Sequence, residues 1–239
     1  MGASLLAAQF SGRQPGTVAL DVGISGIRFV VLLMTVFWSQ ELIAREVERR
    51  SVFLALAYPV PRSHYLIGRF FGIMALVFFA MAILCAMLWL FAWLAGRNYI
   101  QGTPINLGSG LIATMTYIWI DTAVVAAFTL LVSTFSVTPL LPLALGFAFA
   151  VAARSLGQSL AFLRDKNSMA ADLAPTYEPV LRFVEWLIPD LSRLDIRAAA
   201  LYNLWPSFSE MSGALAMSGL YIVILLSLAT LVFSKRQFN

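Results

Sequence analysis

The sequence contains little charge for its length. Only 12% of its 239 residues are Asp, Glu, Lys or Arg, whereas 60% are hydrophobic. Soluble domains carry about 25% charged residues, so this chain has too few to cover a globular surface. The composition therefore predicts an integral membrane protein. The net charge of +4 indicates cytoplasmic arginines beside anionic lipid, and we expect no nucleic-acid partner.

Lysine, histidine and cysteine are nearly absent. Neither of the two lysines, Lys166 and Lys235, precedes a Ser or Thr, so the chain lacks the G-x-x-x-x-G-K-[ST] phosphate-binding loop. A single histidine, His64, and a single cysteine, Cys85, give no ligand set for zinc or haem. The sequence therefore predicts no catalytic, cofactor or metal site, and we do not expect an enzyme.

Long hydrophobic runs are present instead. A helix that crosses a bilayer needs about 20 mostly apolar residues, and five segments meet this requirement. We therefore predict an all-α integral membrane protein with a single domain over residues 1–239. The predicted spans are 22–44, 70–95, 107–132, 139–163 and 211–233. A shorter apolar piece, Leu5–Phe10, cannot span a bilayer, and a Gly/Pro/Ser linker is expected between it and the first span.

Basic residues near the span ends predict the orientation. Five arginines lie in the segment 45–69, and Lys235 and Arg236 lie near the C-terminus. With five spans these regions share one side, which we assign as cytoplasmic. The segment 164–210 is then outside. Its Trp, Tyr and Pro residues predict short interfacial helices that anchor the chain or cover a lateral exit.

Three ionisable residues fall inside the predicted spans, namely Arg28, Asp121 and Arg154. Such residues are costly in a bilayer and are functional candidates. At about 1.5 Å per residue, Asp121 and Arg154 lie roughly 22 Å and 27 Å from the turn near Ser136, so their side chains can meet across a helical hairpin. We expect either a structural ion pair or a polar patch that faces a substrate path. For a simple pair, exchanging the two charges should partly restore a protein impaired by Asp121→Asn or Arg154→Gln.

The densest run of charges is the segment 41–72, between the first two spans. Taken alone, it indicates a cytosolic loop. It reads Glu41, Glu46-x-Glu48, Arg49-Arg50-Ser51, the apolar stretch Val52–Tyr58, Pro59-Val60-Pro61-Arg62 and Tyr65-Leu66-Ile67-Gly68-Arg69. This order of motifs resembles the type 2 ABC permease family. Two further stretches, Ser133-Thr134-Phe135-Ser136 and Leu187–Asp195, are similar to motifs of that family, so the resemblance extends over nearly the whole chain.

The resemblance implies the membrane-spanning subunit of an ABC exporter in the bacterial cytoplasmic (inner) membrane. Its implied partners are a second permease subunit, as homodimer or heterodimer, and two copies of a separate ABC ATPase, which would hold the ATP and Mg. The family's coupling helix, which seats on the ATPase, falls at about Glu46–Ala57. The residues implied to take part in coupling are Glu41, Glu46, Glu48, Arg49, Arg50, Ser51, Pro59 and Arg62.

The sequence departs from the family pattern at its start. Members usually begin with a cytosolic basic helix and have six spans, and Leu5–Phe10 looks like the tail of a first span that upstream residues or another chain would supply. Two other functions are compatible with the residues. One is a non-transporting scaffold that couples ATPase motion to an assembly on the outer face. The other is a secondary carrier that uses Asp121 and Arg154, although the inverted repeat that would favour a carrier is not seen.

Overall fold

A computed structural model describes residues 2, 4, 15–48, 62–96, 105–136, 138, 140–164 and 188–235. These residues form helices and their connections, and none of them lies in a β-strand. The α-helices are α1 (Pro15–Glu48), α2 (Arg62–Gly96), α3 (Ser109–Phe135), α4 (Leu140–Arg164), α5 (Arg197–Tyr202) and α6 (Phe208–Lys235), with a 3-10 turn at Leu191–Leu194. The all-α prediction is confirmed for the described residues.

Five helices are long and apolar enough to cross a membrane, as the sequence predicts. Many large hydrophobic side chains on α2 and α6 point away from the bundle, among them Phe79, Ile83 and Val223. A soluble bundle would turn such faces inward, whereas lipid accepts them.

The first two helices are longer than the predicted spans. α1 begins at Pro15, inside the stretch predicted as a linker. Proline suits the first position of a helix because its fixed φ fits and its missing N–H would have no helical partner. At the other end α1 continues to Glu48, and α2 begins at Arg62. The loop predicted at 45–69 is therefore shortened from both sides, and residues 49–61 lie outside the described part of the chain.

Helix α3 is the centre of the bundle and packs against α1, α2, α4 and α6. It carries small buried residues such as Ala123, Ala126 and Ala127, which let neighbouring helices approach closely. The buried Thr122 and Thr129 hydroxyls donate to the carbonyls four residues earlier, at 2.7 and 2.8 Å. Intrahelical bonds of this kind make threonine compatible with a membrane interior.

Side chains also join α3 to its neighbours. The Trp119 indole N–H donates to the Met74 carbonyl of α2 at 3.2 Å. Tyr117 donates its hydroxyl to the Met211 carbonyl of α6, also at 3.2 Å. On the α4 side, the rings of Phe128 and Phe149 stack with centroids 4.0 Å apart. These contacts fix α3 as the element against which the other helices are positioned.

The helices give the bundle two distinct ends. At one end, which we call the loop end, α1 finishes and α2 starts. A short turn at Ser136 joins α3 to α4 at the same end. At the opposite end a non-spanning segment, residues 188–203, inserts between the helices. We call this segment the wedge. Its short helices were expected on an outer surface, but their apolar side chains are buried in the bundle: Leu191, Leu194, Ile196, Ala199, Ala200 and Leu201.

Candidate functional site

Asp121 of α3 is the most deeply buried charged residue in the described part of the chain, with 0% of its side chain exposed. Its Oδ2 atom accepts from Arg154 of α4, at 2.7 Å from Nη2 and 3.1 Å from Nε. The same oxygen accepts from Arg28 Nε of α1 at 3.2 Å. The structure thus brings together all three ionisable residues that the sequence placed inside the spans.

Helix geometry explains the meeting of Asp121 and Arg154. α3 and α4 are antiparallel neighbours joined at Ser136, so residues at similar rises above that turn lie side by side. Arg28 reaches the same carboxylate because α1 packs against α3. An arginine pair around one carboxylate is a geometry that the planar, multi-donor guanidinium supports well.

The charges continue from this triad into the wedge. Arg28 Nη1 donates to Asp195 Oδ2 at 2.8 Å. Arg197 donates from Nη2 to the same Asp195 oxygen at 2.5 Å. Arg197 Nη1 also lies 3.3 Å from Asp21 Oδ1 of α1. We call this alternating series of arginines and aspartates the ion-pair chain, and its members are Arg154, Asp121, Arg28, Asp195, Arg197 and Asp21.

The ion-pair chain runs from the interior of the bundle toward solvent. Side-chain exposure rises from 0% at Asp121 to 48% at Asp21. Three positive and three negative groups alternate, so each charge faces the opposite sign. Buried charges of this kind are tolerated only when paired, and removing one partner costs more than the pair gains. The ion-pair chain therefore makes the packing of α1, α3, α4 and the wedge interdependent.

One oxygen of the buried carboxylate takes no part in this pairing. Asp121 Oδ1 is buried and accepts no hydrogen bond from any described residue. The donors of Arg28 and Arg154 that reach Asp121 converge on Oδ2 instead. The interaction therefore depends on the charge of Asp121 more than on a full set of hydrogen bonds.

The electrostatics of the wedge favour ionised Asp195. Burial raises the pKa of Asp195, but the hydrogen bonds from Arg197 and the positive charges of Arg28 and Arg197 outweigh burial and hold it below its usual value. In the same contact, Asp195 raises the pKa of the Arg197 guanidinium. Both groups remain charged at neutral pH, so the wedge is attached to α1 by full ion pairs.

The wedge also contacts the helices through close backbone approaches. A Cβ atom on Gly157 of α4 would overlap Ser192 Oγ and would lie 2.7 Å from Asp190 Oδ1. Asp190 caps the 3-10 turn by accepting from Ser192 N at 3.1 Å. Before α3, the Asn106 backbone N–H donates to the Ala200 carbonyl at 2.9 Å. The wedge is therefore held by packing and hydrogen bonds as well as by charge.

Asp21, Asp195 and Arg197 were missed as site residues by the sequence analysis. Asp21 lies in the stretch predicted as a linker, and Asp195 appeared only as the last residue of the family-like stretch Leu187–Asp195. A signal was available in the alternation of Asp and Arg at positions 190, 193, 195 and 197. That pattern is also typical of a solvated surface segment, and only burial of the neighbouring leucines distinguishes the two.

The structure describes only some of the predicted coupling residues. Glu41 is exposed on α1, and the backbone of Glu46 and Glu48 belongs to the last turns of the same helix. Arg62 is the first residue of α2. Arg49, Arg50, Ser51 and Pro59 lie outside the described residues, as does most of the predicted coupling helix. Helix α1 thus carries Arg28 of the intramembrane group near its middle and Glu41, Glu46 and Glu48 of the coupling group toward its C-terminal end.

The carboxylates of the ion-pair chain are occupied by guanidinium groups. Within the ranges that the structure describes, no three His, Cys, Asp or Glu side chains come together as a possible metal site. The ion-pair chain can form and break contacts between helices, because its bonds are strong, directional and reversible.

Comparison with known proteins identifies a family for this chain. A search of the curated proteins found none similar to this chain. A family model described as ABC-2 family transporter protein matches residues 4–238. The match includes α1 to α6, the ion-pair chain and the charged segment between α1 and α2. The chain therefore belongs to the ABC-2 family of transporter proteins.

Proposed function

We propose that this chain is the permease subunit of an ABC transporter and couples ATP hydrolysis by a separate ATPase to export of a substrate. One observation carries the proposal. Helix α1 is uninterrupted from Pro15 to Glu48, so Glu46 in the charged segment and Arg28 in the ion-pair chain lie on the same continuous helix. They are separated by about 27 Å along the helix. A displacement at one position is therefore transmitted to the other.

The lengths of α1 and α2 support a partner beyond the membrane. Helices of 34 and 35 residues extend about 51 and 53 Å. The hydrocarbon core of a bilayer is about 30 Å thick. Even when tilted, such helices leave one or more turns outside the core. The charged ends of both helices are then available to a soluble protein.

The chemistry of the chain supports an ATPase as that partner. The chain belongs to a transporter family, yet its sequence has no phosphate-binding loop and neither lysine precedes Ser or Thr. If ATP drives transport, its binding site would therefore lie on another subunit. We assign two ATPase copies and a second permease subunit to the complex. We place the loop end and the C-terminus in the cytoplasm and the wedge on the outer side of the bacterial inner membrane.

The test is purification of the protein in mild detergent, with identification of co-purifying proteins and measurement of their ATPase activity. The decisive variant is Glu46→Ala/Glu48→Ala/Arg49→Ala. We expect an ATPase to co-purify with the native chain, and we expect the variant to lose it or to leave it uncoupled. The control is Lys235→Ala/Arg236→Ala, which removes two charges from the C-terminal sequence without changing the proposed coupling segment.

The outcomes separate the candidate functions. Absence of an ATPase under several mild conditions would contradict the proposal and favour a secondary carrier. An ATPase that binds both the native chain and the variant equally well, with unchanged activity, would contradict the role of the charged segment. An ATPase that couples to the loop in a complex with no transport would favour the scaffold.

A further inference from the structure

We propose that Arg28 is a relay that keeps the wedge closed in one position of α1 and releases it when α1 moves. The inference extends the proposed function, since movement of α1 is there attributed to an ATPase. Its basis is the ion-pair chain, in which Arg28 joins the buried Asp121 of α3 to Asp195 of the wedge.

The geometry of the Arg28 guanidinium makes the contact position-dependent. Nε and Nη2 face Asp121, each 3.2 Å from Oδ2, and Nη1 faces Asp195 at 2.8 Å. Because the group is planar and its N–H directions are fixed, both carboxylates are reached only when α1, α3 and the wedge are in register. Sliding α1 by one residue, about 1.5 Å, would lengthen at least one contact beyond hydrogen-bonding distance.

Loss of the Arg28 contacts would weaken the ionic attachment of the wedge to α1. Arg28 and Arg197 both donate to Asp195 Oδ2, and Arg197 also donates to Oδ1. If Arg28 withdraws, Asp195 keeps only Arg197, a residue of the wedge itself. The remaining ionic link to α1 is then that of Arg197 with Asp21, which is long and half-exposed. Exposed pairs of this kind contribute little stability, so loss of the Arg28 contacts weakens the attachment of the wedge to α1 and favours its opening.

The opening of the wedge can be measured by cysteine labelling. The parent variant is Cys85→Ala/Ala200→Cys, because Ala200 is fully buried in the wedge and cysteine is only slightly larger. The protein is placed in lipid nanodiscs, where both faces are open to a sulfonated maleimide. Leu204→Cys in the same Cys85→Ala background is the reference for an exposed thiol, since Leu204 is 64% exposed.

We expect Arg28→Gln to raise the labelling rate of Cys at position 200 at least about tenfold, which is about 1.4 kcal/mol in the opening equilibrium. The matched control is Arg193→Gln, which also removes one arginine charge, but from an exposed wedge residue paired with Asp190. Its labelling rate should stay at the parent value. Equal rates in Arg28→Gln and Arg193→Gln would overturn the proposal.

Two further variants distinguish a relay from a general structural role. Arg28→Lys keeps the charge but cannot bridge two carboxylates with fixed donors, so the rate should stay raised; full protection with lysine would overturn the bridging role. Asp195→Asn breaks the same contact at nearly constant volume, and it decides the matter if Arg28→Gln does not purify as a folded protein. An unchanged rate in Asp195→Asn would also overturn the proposal.

The link to the ATPase is tested in the co-purified complex. Addition of ATP and Mg²⁺ should raise labelling in the parent and leave it unchanged in the Glu46→Ala/Glu48→Ala/Arg49→Ala variant. ATP hydrolysis without any increase in the parent would show that the wedge does not respond to the motor, and would overturn the relay. Failure of the proposed function is seen separately, as absence of a co-purifying ATPase, and the ATP-free comparison does not depend on it.

Discussion

Gly110 of α3 lies directly against the backbone of Ala199 in the wedge. A Cβ atom on Gly110 would be 2.5 Å from the Ala199 carbonyl oxygen and 2.9 Å from its carbonyl carbon. These atoms belong to the main chain and cannot rotate away as a side chain can. The absence of a side chain at position 110 therefore sets how closely the wedge can approach α3.

Gly110→Ala should push the wedge away from the bundle and destabilise the protein by about 1–3 kcal/mol, as overpacking does elsewhere. The measurement is the apparent midpoint of thermal unfolding in detergent, together with labelling at position 200. Gly213→Ala on α6 is the matched control, because a Cβ there meets no atom within 4 Å. It should leave the midpoint unchanged or raise it, since alanine favours a helix over glycine by about 1 kcal/mol. A midpoint for Gly110→Ala at or above that of Gly213→Ala would contradict the close approach.

Asp121→Asn should be more damaging than Arg154→Gln. Asparagine retains an oxygen acceptor but loses the charge that two arginines share, and breaking a buried ion pair costs about 3–5 kcal/mol. Arg154→Gln leaves Asp121 bonded to Arg28, so the loss should be nearer about 1.5–3 kcal/mol. Unfolding midpoints of the two purified variants make the comparison. The opposite order would show that Arg154 has a partner beyond Asp121.

The charge exchange Asp121→Arg/Arg154→Asp should not restore the protein. For a simple pair the exchange would be expected to help, but Asp121 is also the partner of Arg28. An arginine at position 121 would face Arg28 at close range, and like charges at such distances repel strongly in a low-dielectric interior. Adding Arg28→Gln to the exchange should recover part of the lost stability. Recovery by the exchange alone would show that Arg28 does not contact position 121.

The contribution of Asp195 should be constant across neutral pH. Its pKa is lowered in the folded protein below the ordinary value of 3.8, so its stabilising effect is fully present above that value and is lost as pH falls through the lowered pKa. The difference in unfolding midpoint between the native chain and Asp195→Asn should therefore be the same from about pH 8 to about pH 5, and should shrink below about pH 4. A difference that disappears nearer neutral pH would mean that Asp195 is not held ionised by Arg28 and Arg197.

Asn203 should tolerate glycine but not valine. It ends α5 with φ 56° and ψ 26°, in the left-handed region, and its side chain accepts from Asn106 Nδ2 at 2.9 Å and Trp205 Nε1 at 3.2 Å. A β-branched residue is strained in this region by about 1–2 kcal/mol and would also lose both hydrogen bonds. Asn203→Gly should lose only the bonds, so its unfolding midpoint should lie between those of the native chain and Asn203→Val. A valine variant as stable as the glycine variant would contradict the left-handed conformation.

The spanning helices could be predicted from the sequence because their signal is local. Continuous apolar runs identify the five long helices, and the rise per residue places Asp121 beside Arg154 across the Ser136 turn. Helix ends were less predictable. The charged residues up to Glu48 and the polar stretch before residue 22 look like loops, yet the backbone continues as helix through both.

The wedge could not be predicted because its burial is a property of the tertiary structure. Leu191 and Leu194 have the spacing of an interfacial helix. This spacing does not show whether the two side chains pack against lipid or against other helices of the protein. That Arg28 reaches both Asp121 and Asp195 depends on α1 packing beside α3 and the wedge. Arg28 is 93 positions from Asp121 and 167 positions from Asp195. Contacts between residues so far apart leave no periodic pattern in a single sequence.

The charges of the wedge have a consequence for the energetics of its movement. Asp190 and Asp195 are balanced by Arg193 and Arg197, so the segment is electrically neutral. Moving one elementary charge through a membrane potential involves about 2.3 kcal/mol per 100 mV. Because the opposite charges of the wedge travel together, the electrical work on them cancels. Displacement of the wedge itself should therefore add little voltage dependence to opening and closing, in an energised or a depolarised membrane.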